Sequence, residues 1–513
     1  MTVKEKKIIY DFEDGNAKMR DTLGGKGANL AEMTRIGVPV PPGFILTTEV
    51  CRNYQKISDK RTFIQKLEEK VRFHLKTLES KTRRILGGKP PLLLSVRSGA
   101  PISMPGMMDT VLNLGVNDET VIALADETDA RFAYDCYRRF IQMFGDVVLG
   151  VSKAGFEKII EDVKEESGVE LDSNVSAEGW KTVVRRYKQL LKQLGEEIPD
   201  DPFQCLMMSI EAVLKSWSNK RAITYRRFNN IPHTIGTAVN IQVMVFGNSG
   251  DRSGTGVIFT RNPSTGENVL YGEWLVNAQG EDVVAGVRTP QPINELDSDF
   301  PTSAKELRKI AQKLENHYGD IQDMEFTIQD DTLYILQTRT GKRTAAADVK
   351  INVDYVHEGT ISKQEALLRI KPEQLTQLLH PYVDPAAEVI VMAKGLPASP
   401  GAAVGKVVLN PDKAEKMSEE GDQVILVRTE TTPDDIHGVI ASVGVLTSRG
   451  GMTSHAAVVA RGMGKPCVAG CSAVEIDETT NSFQVGDRVI REGDKITIDG
   501  SKGEVIFGEV PLI

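Results

Sequence analysis

Residues 449–466 read Arg-Gly-Gly-Met-Thr-Ser-His-Ala-Ala-Val-Val-Ala-Arg-Gly-Met-Gly-Lys-Pro. The apolar run Val443, Val445 and Leu446 just before them predicts a strand. Gly450 and Gly451 give a turn that needs flexible backbone. Thr453 or Ser454 can then cap a helix. Ala456, Val459, Ala460 and Met463 recur at helical spacing and make one buried face. Gly462, Gly464 and Pro466 end the helix. His455 therefore falls in the first turn, beside backbone N–H groups that have no helical partner. That end attracts anions and favours a neutral imidazole, which is a nucleophile. A histidine that only packs in a strand–turn–helix contact also fits, and spacing alone favours that plainer role.

Outward from this stretch, residues 402–509 read as a compact unit of short strands around the His455 helix. The strands are expected at Gly405–Leu409, Gln423–Val427, Arg488–Ile490, Lys495–Ile498 and Glu504–Phe507. Asp499-Gly-Ser-Lys-Gly503 is a hairpin signal between the last two. Gly395-Leu-Pro-Ala-Ser-Pro-Gly401 reads as a boundary, and residues 341–395 before it as a helical linker.

Further upstream, Met324, Phe326 and Ile328 alternate with Asp323, Glu325 and Thr327, so one strand face is apolar and the other acidic. A second strand carries Tyr334 and Leu336 against Ile335, Gln337 and Arg339. A loop of Asp330, Asp331 and Thr332 sets Glu325 opposite Gln337 and Asp323 opposite Arg339. Opposed side chains are roughly 4.5–5.5 Å apart at Cβ. A carboxylate and an amide oxygen at that spacing can share a hard cation such as Mg²⁺, and the arginine can fork onto a phosphate. A surface ion pair between Asp323 and Arg339 is the competing explanation.

Earlier still, Leu23-Gly-Gly-Lys-Gly-Ala-Asn-Leu30 reads as a glycine-rich loop entering a helix, and Leu92–Ser98 as a buried strand delivering Arg97. Gly99–Asp109 has the Gly/Pro/Met composition of a mobile cover. Helices are expected at Arg131–Val151, Phe156–Glu166, Trp180–Leu194 and Phe203–Ser218, with Phe132, Cys136, Phe140 and Phe144 as one apolar stripe. Strands return at Val239–Phe246, Val257–Arg261 and Asn268–Leu275, followed by a helix at Ser303–Tyr318.

Composition sets limits. The 513 residues suffice for several domains, and 40% hydrophobic with 26% charged residues is ordinary for a globular protein. A net charge of −9 leaves no basic stripe for nucleic acid or a membrane surface. Five widely spaced cysteines suit a reducing cytoplasm. Cys467 and Cys471 lack a second pair or a neighbouring histidine, which argues against a metal site. The charged start MTVKEKKIIYDFEDG has no signal-peptide core, and no apolar run reaches membrane-spanning length.

The string GGMTSHAAVVARGMGKPCV resembles the phosphohistidine signature of phosphoenolpyruvate-using enzymes, most closely the pyruvate, phosphate dikinases. MEFTI with LYILQTRTGKRTAAA, GGKGANLAEM, SVRSGAPISMPGMMDTVLNLG, NIQVMVFGN and SGTGVIFTRNPSTGE resemble their ATP-grasp domain, in family order. The resemblance implies a multidomain α/β and α+β chain. It would run as an ATP-grasp N-terminal subdomain (1–117), a helical subdomain (118–228), an ATP-grasp C-terminal subdomain (229–340), a helical linker (341–400) and a swivelling β/β/α phosphohistidine domain (401–513). It implies phosphoryl transfer through His455. Lys26, Arg97, Gln242, Met244, Val245, Asp323 and Arg339 would bind ATP or its phosphates. Glu325 and Gln337 would hold Mg²⁺, and Thr453 would be a regulatory phosphorylation position for a kinase and phosphatase.

The implied reaction takes ATP and inorganic phosphate to AMP and pyrophosphate through pyrophosphoryl- and phospho-His455. The 341–400 and post-500 segments are the expected hinges. The family's pyruvate site lies on a C-terminal barrel of roughly 250 residues. None follow Ile513, so the pyruvate to phosphoenolpyruvate step is expected to need a separate barrel. A phosphocarrier subunit serving such a barrel protein stays open as an alternative, as does a related dikinase with another acceptor. The loop Ser103–Gly115 resembles the dikinase form that uses phosphate rather than water.

Overall fold

The computed structural model describes residues 7–104, 106–285, 289–371, 381–384 and 386–513. The first six residues, Pro105 of the expected cover loop, and residues 372–380 and 385 of the expected linker lie outside these. All counts below are of the described residues. By its internal contacts the chain divides into two units, Met1–Val245 and Phe246–Ile513.

In the first unit, β1 (Ile9–Asp11), β2 (Gly43–Leu46), β3 (Leu94–Gly99), β4 (Thr110–Leu114) and β5 (Ala238–Val243) form an antiparallel sheet in the order β1-β2-β5-β3-β4. Its inner strands β2, β5 and β3 are largely buried, with Asn240 and Gln242 of β5 and Ser95 of β3 among the buried polar residues. β5 pairs with β2 and β3, so it belongs to the first unit, which runs through it to Val245. The periodic segments form helices at Ala130–Val147, Lys153–Ser167, Ala177–Gln193 and Pro202–Ser216. Phe132, Cys136, Phe140 and Phe144 are buried as one stripe. The expected mobile cover is a correction: Met104 and Met107 are buried, Asp109 pairs with Arg221, and Arg221 Nε donates to the Met107 carbonyl. Methionine fills such irregular gaps without leaving a periodic signal.

In the second unit, β6 (Gly254–Phe259), β7 (Tyr271–Val276), β8 (Gln291–Pro292), β9 (Gln322–Gln329) and β10 (Thr332–Thr340) form an antiparallel sheet ordered β10-β9-β6-β7-β8. The helix Pro301–Tyr318 packs on β9 and β10.

The eight-stranded sheet that follows takes β11 (Val391–Lys394), β12 (Leu396–Ser399), β13 (Ala402–Val408), β14 (Val424–Arg428), β15 (Gly444–Thr447) and β16 (Cys467–Ala469). A three-stranded antiparallel sheet of β17 (Glu475–Asp477), β18 (Ser482–Val485) and β19 (Arg488–Arg491) intervenes in the chain. β20 (Lys495–Asp499) and β21 (Glu504–Phe507) then complete the larger sheet, ordered β11-β21-β20-β13-β14-β15-β16-β12. β13 to β16 run parallel, and the His455 helix crosses over between β15 and β16. Apolar residues of these strands, with Phe483 and Ile490 of the smaller sheet, make one core.

One expectation is corrected here. The linker is helical at Ala345–His357 and Lys363–Arg369, but residues 391–399 are strands. β11 and β12 are the two edges of the sheet, where Pro397 costs no ladder bond, so a Gly/Pro-rich stretch could form strand. The strand expected at Glu504–Phe507 is present as β21, which lies between β20 and β11 with Val505 and Ile506 buried. Val391 stands opposite Ile506, and Tyr382 and Ile513 exchange backbone hydrogen bonds. The chain thus enters and leaves this sheet side by side.

Candidate active site

The His455 helix spans His455–Met463. Ser454 caps it, its hydroxyl accepting the Ala457 N–H at 3.4 Å. Gly450 takes the left-handed conformation in the approach loop, and Gly464 closes the C-terminus in the same region, accounting for both glycines. Ala456, Val459 and Ala460 are buried against the sheet, with Met463 partly covered. His455 is partly buried. Its Nδ1 lies 3.2 Å from Thr431 Oγ1, and Nε2 is buried with no hydrogen-bond partner. Burial is the main force that lowers its pKa from 6.5 to about 4, with Lys342 adding to it and Asp435 opposing. The imidazole is therefore neutral near pH 7. The sequence argument assigned that neutrality to the helix end, whereas desolvation is the larger cause.

The other candidate in this loop, Thr453, does not cap the helix. Its hydroxyl donates to Glu273 Oε2 at 3.1 Å, and the Met452 N–H reaches Glu273 Oε1 at 3.4 Å. Glu273 comes from β7, and burial raises its pKa. Arg461, on the same helix and buried, donates to the carbonyls of Ala398 and Met452. The loop is thus held from both ends.

The hairpin supplies the second constellation. Glu325 stands opposite Gln337 and Asp323 opposite Arg339, as the sequence predicts. The route differs. The turn has only Asp330 and Asp331, both with positive φ, the conformation of a tight hairpin turn. A bulge between Ile335 and Gln337 restores the missing residue. Ile335 consequently faces the core rather than sharing a face with Gln337. Gln337 Nε2 donates to Glu325 Oε1 at 3.0 Å, and Arg339 Nε to Asp323 Oδ2 at 2.6 Å. Asp323 is 5% exposed, so this is not a surface pair, and its Oδ1 is buried without a hydrogen bond. Burial raises its pKa while Arg339 pulls the other way. Lys342 follows shortly after; burial lowers its pKa, and Arg339 adds to that.

Within the first unit, the glycine-rich stretch is not an open loop but the kinked helix Arg20–Arg35, broken at Gly24. The Gly25 N–H donates to the Ala100 carbonyl at 2.9 Å, and a side chain at Gly24 would overlap the Gly99 carbonyl. Backbone approaches the end of β3 that closely only without side chains. Lys26 packs by its Cβ against Gly99, which follows Arg97 on β3. Lys26 therefore lies at the end of β3 that carries Arg97. The strand expected at Val239–Phe246 ends at Val243, before Met244 and Val245. Gln242 is buried and its amide donates to the Pro41 carbonyl at 3.2 Å, so its side chain is turned into the protein.

Sequence reasoning missed Thr431, Glu273 and Lys342. Thr431 sits just beyond β14, and parallel pairing of β14 with β15 brings that end beside the His455 loop. That adjacency was the available signal. Among the described residues no group of three or more His, Cys, Asp or Glu side chains converges as a metal site, and all five cysteines are free and buried. No described helix is long and apolar enough to cross a membrane.

Residues 20–88, 59–303 and 294–359 match the family described as pyruvate phosphate dikinase, AMP/ATP-binding domain, and residues 420–503 match the PEP-utilising enzyme, mobile domain. The chain is 54% identical over 98% of its length to pyruvate, phosphate dikinase of Clostridium symbiosum, covering 58% of that protein. It is 53% identical over 99% of its length to that of Rhizobium meliloti (strain 1021), covering 58%. It is also 53% identical over 99% to the chloroplastic protein of Mesembryanthemum crystallinum, covering 54%. The chain thus spans somewhat more than half the length of these relatives. With two family domains matched in order and more than half of its residues identical to those of a relative along nearly its whole length, the chain belongs to the pyruvate, phosphate dikinase family.

Proposed function

We propose that this chain is a phosphotransferase that converts ATP and inorganic phosphate to AMP and pyrophosphate while placing a phosphoryl group on His455. The observation that carries the reading is the His455 imidazole. It is neutral, engaged through Nδ1 with Thr431, and its Nε2 is buried without a partner. With the proton on Nδ1 donated to Thr431 Oγ1, the Nε2 lone pair is the nucleophile. Nε2 attacks the β-phosphorus, and the bridging P–O bond breaks with AMP as leaving group. The terminal phosphoryl of the pyrophosphoryl-histidine then passes to phosphate, giving pyrophosphate and phospho-His455. Onward transfer to pyruvate, giving phosphoenolpyruvate, is the role proposed for that intermediate.

In the first unit, Lys26 and Arg97 are the proposed phosphate cations, and Met244 and Val245 the proposed adenine contacts. In the second unit, Arg339 is the proposed phosphate cation, with Asp323 fixing its guanidinium. Glu325 and Gln337 suit Mg²⁺ by chemistry, since all their available donors are oxygens once the Gln337 amide turns its oxygen outward. When bound, Mg²⁺ supplies charge neutralisation at the phosphate oxygens. Thr453 is proposed as a regulated position. The residue is 7% exposed and its hydroxyl is held by Glu273, so a kinase would reach it only with that contact open. The cytoplasm is the proposed compartment, in keeping with five free cysteines.

The test is labelling with β-³²P-ATP, Mg²⁺ and phosphate. Acid-labile, base-stable label on His455 that is absent from His455→Asn is the expected result; label persisting in the variant ends the reading.

A further inference from the structure

We infer that Lys342 is a phosphoryl-binding residue, its ammonium set on the His455 helix to take the oxygens of a phosphate group carried by His455. This rests on the reading of His455 as a phosphoryl acceptor. The helix buries Ala456, Val459 and Ala460, and leaves His455, Val458 and Gly462 along its open side. His455 and Gly462 share that stripe, two turns or about 10 Å apart along the axis, and the Lys342 charge acts on the imidazole across that span. The Lys342 side chain runs over it: Nζ stands 3.3 Å, and Cδ 3.6 Å, from where a Cβ on Gly462 would be. The missing side chain at Gly462 makes room for the ammonium.

Nothing described neutralises that charge. Lys342 makes no hydrogen bond or ion pair with any described residue, and Asp323, the nearest acid in its field, is bonded to Arg339. A half-buried cation without an anion is costly unless a ligand supplies one. At the head of the same stripe, His455 Nε2 is likewise unpartnered. A phosphoryl or pyrophosphoryl group on Nε2 would bring non-bridging oxygens toward the ammonium. Lys342 transfers no proton in this role. It remains an ammonium and balances charge on the phosphate while the Nε2–P bond forms and the bond to AMP breaks.

Two measurements test the inference, using the full chain and its Lys342→Met and Lys342→Arg variants. In labelling from ATP, Lys342→Met should be about tenfold or more slower at saturating ATP, with largely restored rate in Lys342→Arg and no loss of melting temperature. Labelling of Lys342→Met at the wild-type rate overturns the inference. The second measurement needs no ATP. His455 is phosphorylated chemically with phosphoramidate, and the phosphoryl group is titrated by ³¹P NMR. A neighbouring ammonium favours the dianion, so the phosphoryl pKa should be lower in the wild-type chain than in Lys342→Met by roughly half a unit or more. Identical titrations overturn the assignment. If the wild-type chain takes no label from ATP, the proposed reaction fails, and the ³¹P titration still decides Lys342.

Discussion

Gly451→Ala should loosen the His455 loop although it deletes no atom. Gly451 does not have positive φ, so alanine is compatible with its backbone. The three atoms nearest the new methyl all belong to Glu273, with Oε1 at 2.8 Å and Oε2 closer still. Glu273 must therefore withdraw. It then gives up the hydrogen bond from Thr453 Oγ1 at 3.1 Å and the longer one from the Met452 N–H. A hydrogen bond to a charged acceptor contributes roughly 1.5–3 kcal/mol, and the 3.4 Å bond adds little. We expect a loss of about 2 kcal/mol, close to thirtyfold in the equilibrium that holds the loop on β7. Urea unfolding of a double-mutant cycle with Glu273→Ala reads this directly. Glu273→Ala removes the obstacle, so alanine at position 451 should cost almost nothing in that background, giving a coupling energy near the full effect. Hydrogen exchange at the Met452 amide should accelerate in either single variant. Equal costs of Gly451→Ala in both backgrounds would refute the argument.

Three further outcomes are expected. Glu325→Ala or Gln337→Ala should reduce Mg²⁺-dependent labelling of His455 by about a hundredfold or more while leaving the melting temperature nearly unchanged, because both side chains are partly exposed; wild-type rates in both would move the cation site elsewhere. Thr431→Val removes the 3.2 Å bond to Nδ1; at roughly 1 kcal/mol the neutral tautomers should mix, visible by ¹⁵N NMR, with labelling about fivefold slower. His455 has its pKa depressed from 6.5 to about 4 in the fold, so the unfolded chain binds more protons between those values. Stability tied to this group is complete above pH 6.5 and is lost as pH falls toward 4, by up to about 3 kcal/mol. Relative to His455→Asn, the wild-type chain should weaken across that window, and parallel pH profiles in urea would contradict the assigned burial effect.

The parts legible in sequence are those with a local period or a local exception to one. The His455 helix, its Ser454 cap and Gly464 terminus follow from spacing and two glycines, and the Phe132–Phe144 stripe follows from the helical repeat. The hairpin gave the right opposition of Glu325 and Gln337 through compensating differences, a shorter turn and a bulge, because counting residues cannot place the extra one. Thr431 and Lys342 reach the His455 helix, and Glu273 the loop before it, from other parts of the second unit. Such contacts leave no periodic trace in any one segment. The edge strands at 391–399 were hidden by Gly395, Pro397 and Pro400, residues that break inner strands and are harmless at a rim.

The side-by-side entry and exit of the His455 sheet bears on how such a unit can be moved between proteins. Val391 opposite Ile506, and Tyr382 bonded to Ile513, put the two connections one strand spacing apart, about 5 Å. A recipient chain would need to open only a gap of that width, such as a hairpin turn, to accept the whole cassette without stretching it. The same pairing ties the two ends of the unit to each other, so fraying Ile513 should also release Tyr382.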